Sequence, residues 1–157
     1  MTRGLAGRLF GAALFLPTLA MAEPVLEVRL PSGAMLGALP MPAASEICLH
    51  WAHSVTGGAV ADCFENRDGR LLLTRSYLHD FAAGLGEVQG RGRLISAPQG
   101  GYWITDMNAP LPDDRLDLRV GSARVGHRLV AEGAALELSR IAPRQRVRVG
   151  LVSPNSD

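Results

Sequence analysis

The stretch "ICLHWAHSVTGGAVADCFEN" (residues 47–66) decides the fold. Apolar and polar side chains alternate on both sides of a central "TGG" (56–58), the pattern of two half-buried strands joined by a turn. On the first arm, the period of two puts Leu49, Trp51, His53 and Val55 on one face. His50, Ala52 and Ser54 fall on the other. The same stretch holds both cysteines of the chain, Cys48 and Cys63. A two-residue turn at Gly57–Gly58 would set Cys48 opposite Arg67, four residues out of register with Cys63. A disulfide needs Cα atoms within about 7 Å. Either the hairpin is bulged or displaced, or the bridge does not form; a pair of cysteines in an exported chain favours the bridge.

Outward from this hairpin the chain breaks into short pieces, separated by 18 glycines and 10 prolines. Candidate strands are 25–30, 47–55, 59–66, 70–77, 93–96, 102–106, 116–120, 127–131, 135–139 and 147–152. Turn chemistry separates them at "RDG" (67–69), "APQGG" (97–101) and "EG" (132–133). Regular short strands with such turns predict an all-β domain, a small antiparallel β-sandwich or barrel-like fold. Residues 30–45, "LPSGAMLGALPMPAAS", read as an irregular surface loop, and short helical turns are expected at 79–85 or 139–145.

The N-terminus carries Arg3 and Arg8, then the apolar run "LFGAALFLPTLA", then "AMA" before Glu23. This predicts a signal peptide (1–22) cut after Ala22, a single β-rich domain over 23–157, and a periplasmic location. The run is too short to span a membrane, which takes about 20 apolar residues. No later stretch is long enough, so no span is expected after cleavage. Loss of the two leader arginines takes the formal charge from +1 to one unit negative, which argues against nucleic acid as a partner. All basic residues are arginine; the absence of lysine excludes Schiff-base chemistry and a lysine general base.

The chemistry-bearing residues are few. His50 and His53, three apart on a strand, point to opposite faces and cannot share a metal; with His79 and His127 distant in sequence, no metal site and no cofactor are expected. Ser54 lacks a GxSxG elbow, so a triad of Ser54, His127 and Asp80 has only composition behind it, and no catalytic residue is assigned. His53, a histidine on an apolar face, is either a hydrogen-bonded structural residue or a pocket residue beside the glycine turn. "HDFAAGLGEVQGRGR" (79–93) is a long glycine-rich loop carrying Asp80, Gly84 and Gly86, and such loops are often functional. Tyr102 and Trp103 face opposite ways; one packs inside and the other is free to rim a pocket.

Together, "ICLHWAHSVTGGAVADCFEN", "GRLLLTRSYLHDFAAGLGE" (69–87), "GGYWITDMN" (100–108) and "LRVGSARVGHRLV" (118–130) resemble domain-of-unknown-function family 1850, small bacterial proteins commonly exported. The resemblance extends over about 46–152 and is most specific at "HSV" (53–55) and "FAAGLG" (81–86). Thr56 stands where many relatives carry an acid. The resemblance implies an association with TRAP transporters of the TAXI type, which import organic acids and similar solutes. The expectation is therefore a non-enzymatic accessory or ligand-binding protein, its partner a TRAP permease, a solute-binding protein or a small organic acid. Its candidate ligand-binding residues are His53, Ser54, Asp80, Gly84, Gly86 and Trp103. A small hydrolase using Ser54 and His53, or a structural envelope domain, are the alternatives.

Overall fold

The computed structural model describes residues 22–80 and 92–153. The leader predicted at 1–22, apart from Ala22, and the loop glycines Gly84 and Gly86 lie outside the described residues. No helix among the described residues is long and apolar enough to cross a membrane.

Two antiparallel sheets face each other without closing into a barrel. In chain order the strands are β1 (Val25–Arg29), β2 (Met35–Pro40), β3 (Glu46–Ala52), β4 (Ala59–Arg67), β5 (Arg70–Leu78), β6 (Arg93–Ser96), β7 (Tyr102–Thr105), β8 (Ala109–Pro110), β9 (Arg115–Arg119), β10 (Arg128–Ala131), β11 (Ala134–Leu136) and β12 (Arg146–Val152). The smaller sheet runs β2-β1-β12-β9; the larger runs β11-β10-β3-β4-β5-β7-β6, with β8 paired to β5. A sandwich follows from the alternation: Ile47 and Leu49 on β3, Phe64 on β4 and Leu71 on β5 face Leu26, Val28, Val147 and Val149 of the other sheet, all buried in one core.

The sequence pattern misplaced one strand. Residues 30–45 are not an irregular loop, since β2 pairs with β1 from Pro40 opposite Val25 to Met35 opposite Arg29. Its glycine has a packing reason. A Cβ on Gly37 would lie 2.9 Å from Leu136 Cδ1, so Gly37 lets the edges β2 and β11 come together. Pro40 is tolerated because β2 is an edge strand that needs no second set of N–H donors. Of the two expected helical turns, one forms near its place as α1 (Leu138–Ile141). Of the other, His79 and Asp80 are not helical, and 81–85 fall outside the described residues.

The central hairpin forms, but not with a two-residue turn. Trp51 faces Val60 and Ala52 faces Ala59, so a six-residue loop, 53–58, joins β3 to β4. Its closure is internal: His53 N donates to Gly58 O at 2.8 Å and Gly57 N donates to His53 O at 2.8 Å. The longer loop removes the register conflict. Cys48 stands directly opposite Cys63, with Cα atoms 4.0 Å apart, and the two form a disulfide. Cys48, Cys63 and His50 lie on the outer face of the larger sheet, away from the second sheet.

A second irregularity shapes the inner face. The β4–β5 register shifts between Cys63 and Phe64, so that Asp62 opposes Ser76 while Phe64 opposes Leu73. The bulge keeps both pairs on the inner face and turns the Thr74 hydroxyl to the Cys63 carbonyl, at 3.1 Å.

Candidate functional site

One end of the larger sheet gathers most of the polar residues picked out by the sequence. The strand β3 stops at Ala52, so His53 sits in the loop and not on the core face of a strand. Val55, expected beside the core, is 81% exposed. Thr56 supplies the polar contacts of the His53 ring: its backbone N–H donates to His53 Nδ1 at 3.3 Å, and its hydroxyl lies 3.4 Å from the same nitrogen. His53 is thus a half-buried organiser of its own loop. Ser54 is exposed at the loop tip.

Asp80 approaches the same loop from the end of β5. A Cβ on Gly58 would fall 2.5 Å from Asp80 Oδ2, so a larger residue there would require the carboxylate to swing aside. The other oxygen, Oδ1, is shielded from solvent and has no hydrogen-bond donor among the described residues. The structure therefore brings His53, Ser54 and Asp80 to one end. It does not bring Trp103 there. Tyr102 packs inside with Leu78 and Ile104, while Trp103 lies on the outer face against Tyr77, with the Arg75 guanidinium 4.6 Å above its ring.

Beside this loop opens a cleft of about 420 Å³, lined by His50, Trp51, Gly57, Arg124, Arg128 and Glu137, among others. Register builds it. Arg128 of β10 pairs with His50 of β3, so the two side chains stand next to each other on the outer face. The turn before β10 docks on the end of β3, where Ala52 N donates to Val125 O at 2.7 Å, and this carries Arg124 to the cleft. The turn is pinned from below. Buried His127 accepts the Gly121 N–H on Nδ1 at 2.8 Å, and its own N–H goes to Ser139 Oγ at 2.8 Å. The Ser139 hydroxyl in turn donates to Gly121 O, and the Trp51 ring meets His127 edge-on at 5.6 Å between centroids.

The described wall of the cleft carries two arginines against one glutamate, a positive balance of charge. Most described arginines that meet an acid do so elsewhere, for example Arg75 with Glu46 and Arg70 with Asp114. Arg124 and Arg128 have no salt bridge among the described residues. Burial first, and then the charge of Arg128, hold the His50 imidazole below its ordinary pKa, so it is neutral at pH 7. Glu137, half-buried at the same cleft, is the one acid among the described residues of the wall.

A model of the family described as "Domain of unknown function (DUF1850)" matches residues 47–138. The chain belongs to the DUF1850 family. The match begins on β3 and ends at the start of α1, so it contains the central hairpin and every cleft residue named above. No curated protein matches this DUF1850 chain, and no solved structure does.

Sequence pattern missed His50, Arg124, Arg128 and Glu137 as a group, because their adjacency depends on the β3–β10 pairing and not on spacing along the chain. The available signal was "HRLV" (127–130), a strand with a cation on its polar face, and "SARVG" (122–126), a turn carrying another. The tightest cluster of metal-type ligands among the described residues is Glu46, Cys48 and Cys63, and both its sulfurs are in the disulfide.

Proposed function

We propose that this DUF1850 domain is a periplasmic, non-enzymatic binding module that takes a small organic acid and serves a TRAP-type solute uptake system. The observation that carries the binding part is a cleft holding two arginines without a carboxylate partner next to a half-buried histidine. Guanidinium groups bind carboxylates through paired, charge-assisted hydrogen bonds. Neutral His50 adds a donor or acceptor to the pair. Glu137 favours an acid that also carries a hydroxyl or ammonium donor. The loop of His53 and Ser54, with Asp80 behind it, borders the cleft through Gly57 and contributes the rim. The link to uptake rests on the family resemblance, and export rests on the leader pattern at 1–22.

Calorimetric titration of the mature domain with succinate, malate and glutamate tests the reading. At least one is expected to bind with Kd below about 1 mM, and Arg124→Ala and Arg128→Ala are each expected to weaken it by about tenfold, the worth of one lost charge-assisted contact. Absence of binding by all three acids, or wild-type affinity in both variants, would refute the assignment. Recovery of a TRAP component with the tagged protein from periplasm tests the uptake link; a partnerless domain contradicts it.

A further inference from the structure

A second cavity lies between the sheets, distinct in chemistry from the outer cleft. It measures about 290 Å³. Its walls are Phe64, Leu73, Ile104, Met107, Leu111 and Leu116. Three polar side chains, Trp51, Asp62 and Ser76, complete the lining. Among the described residues, the cavity has no basic residue in its wall.

The polar groups here are unusual for a wall that only packs. Asp62 occupies an inner-face position, opposite Leu49 of the core. Its Oδ1 accepts the Ser76 hydroxyl at 2.6 Å, and its Oδ2 has no partner among the described residues. Burial pushes the Asp62 carboxyl up against the smaller opposing effect of the Ser76 hydrogen bond. The Trp51 indole N–H is shielded from solvent and has no acceptor among the described residues. An indole N–H shielded without an acceptor costs stability that a ligand supplying the acceptor recovers, and the free Asp62 oxygen can accept in return. Pockets that combine apolar walls with a few such groups are the usual form of small-molecule sites.

We propose that this cavity binds a neutral, compact, largely apolar molecule bearing a hydroxyl group, such as a phenol or a cyclic alcohol, with Asp62 accepting from the hydroxyl and Trp51 donating to it. A hydroxyl both gives and takes a hydrogen bond, which fits the two vacant partners with one group. A carboxylate is disfavoured, because Asp62 repels it and no cation among the described wall residues offsets its desolvation. The proposal is independent of the organic-acid reading, which concerns the outer cleft.

The test uses three probes of one shape: p-cresol, toluene and p-toluate, titrated into the full mature domain by calorimetry. The expected result is measurable p-cresol binding, at least about tenfold weaker toluene binding, and no p-toluate binding. Asp62→Asn keeps an acceptor for Ser76 but loses the acceptor for the ligand. It is expected to weaken p-cresol by about tenfold while leaving the circular dichroism spectrum and cooperative thermal unfolding in place, which reports that the variant is folded. Trp51→Phe retains the ring and removes the N–H; it is expected to weaken p-cresol further. Equal affinity for toluene and p-cresol would overturn the roles of Asp62 and Trp51. Tighter p-toluate binding, or no p-cresol binding up to its solubility, would overturn the site.

Discussion

Replacing both cysteines, Cys48→Ala with Cys63→Ala, is expected to lower the stability of the domain by about 3 kcal/mol, the worth of closing a loop of this length in the unfolded chain. The bridge spans 15 residues of sequence and joins directly opposed positions on β3 and β4. These are neighbouring central strands of the larger sheet. In the native state the pairing is redundant with the ladder on either side, from Glu46 opposite Glu65 to Ala52 opposite Ala59. The fold should therefore survive its loss. A drop in Tm of roughly 10 °C with an unchanged far-ultraviolet circular dichroism spectrum is the expected result for a domain of this size. Treating the wild type with reductant should give the same shift. An unchanged Tm in both would mean that the bridge does not form in the folded protein.

Gly101→Ala is expected to destabilise by at least about 3 kcal/mol, among the larger effects available to a single methyl group. Gly101 closes the turn between β6 and β7 with φ at +72°, where an L side chain is strained. A Cβ there would also lie 2.8 Å from the His79 Cα and against the Leu78 carbonyl oxygen. Both are backbone atoms of the neighbouring segment and cannot rotate aside. The turn also receives the Tyr77 hydroxyl, which donates to Gly100 O at 2.7 Å, so displacement would pull on β5 as well. The contrast is Gly33→Ala: it shares the positive φ but has nothing within 4 Å of the added methyl, so it should cost only about 1 kcal/mol. Chemical denaturation of the two variants side by side separates the steric contribution from the conformational one. Equal losses would contradict the close approach of the turn to β5.

The architecture was legible because period-two alternation records which face of a strand is buried. In "VLEVRL", "ICLHWA" and "VRVGLV" the in-phase pairs Leu26 and Val28, Ile47 and Leu49, and Val147 and Val149 all lie in the observed core. The edge strand β2 was not legible. Its glycine and prolines imitate a loop, and the reason for Gly37 is a Leu136 side chain about a hundred residues away in sequence. The hairpin loop hid its length in the same way. Gly57 and Gly58 suggest a tight turn, whereas His53 and Thr56 close a wider one with their own hydrogen bonds. Of the candidate site, His53, Ser54 and Asp80 were legible one by one, but His53 was read onto the core face of a strand that in fact stops at Ala52. Arg128 beside His50 was not legible, because it needs the β3–β10 register. Asp62 carried a signal that went unread: a carboxylate in phase with Val60 and Phe64 on an apolar face.

His50, next to Arg128 in the cleft, reports most directly on the proposed organic-acid binding. Burial and Arg128 hold its imidazole below the ordinary value, which disfavours the imidazolium in the free domain. A bound carboxylate places negative charge beside it and favours the imidazolium, which raises its pKa; by linkage, affinity for the acid must then rise as pH falls through the His50 titration. His127, buried beneath the turn and not lining the cleft, serves as the internal reference. Proton NMR titration of His50 and His127, with and without saturating organic acid, measures this directly. The expected result is an upward shift of the His50 pKa on binding, with His127 moving less. A His50 titration identical in the free and loaded domain would contradict it.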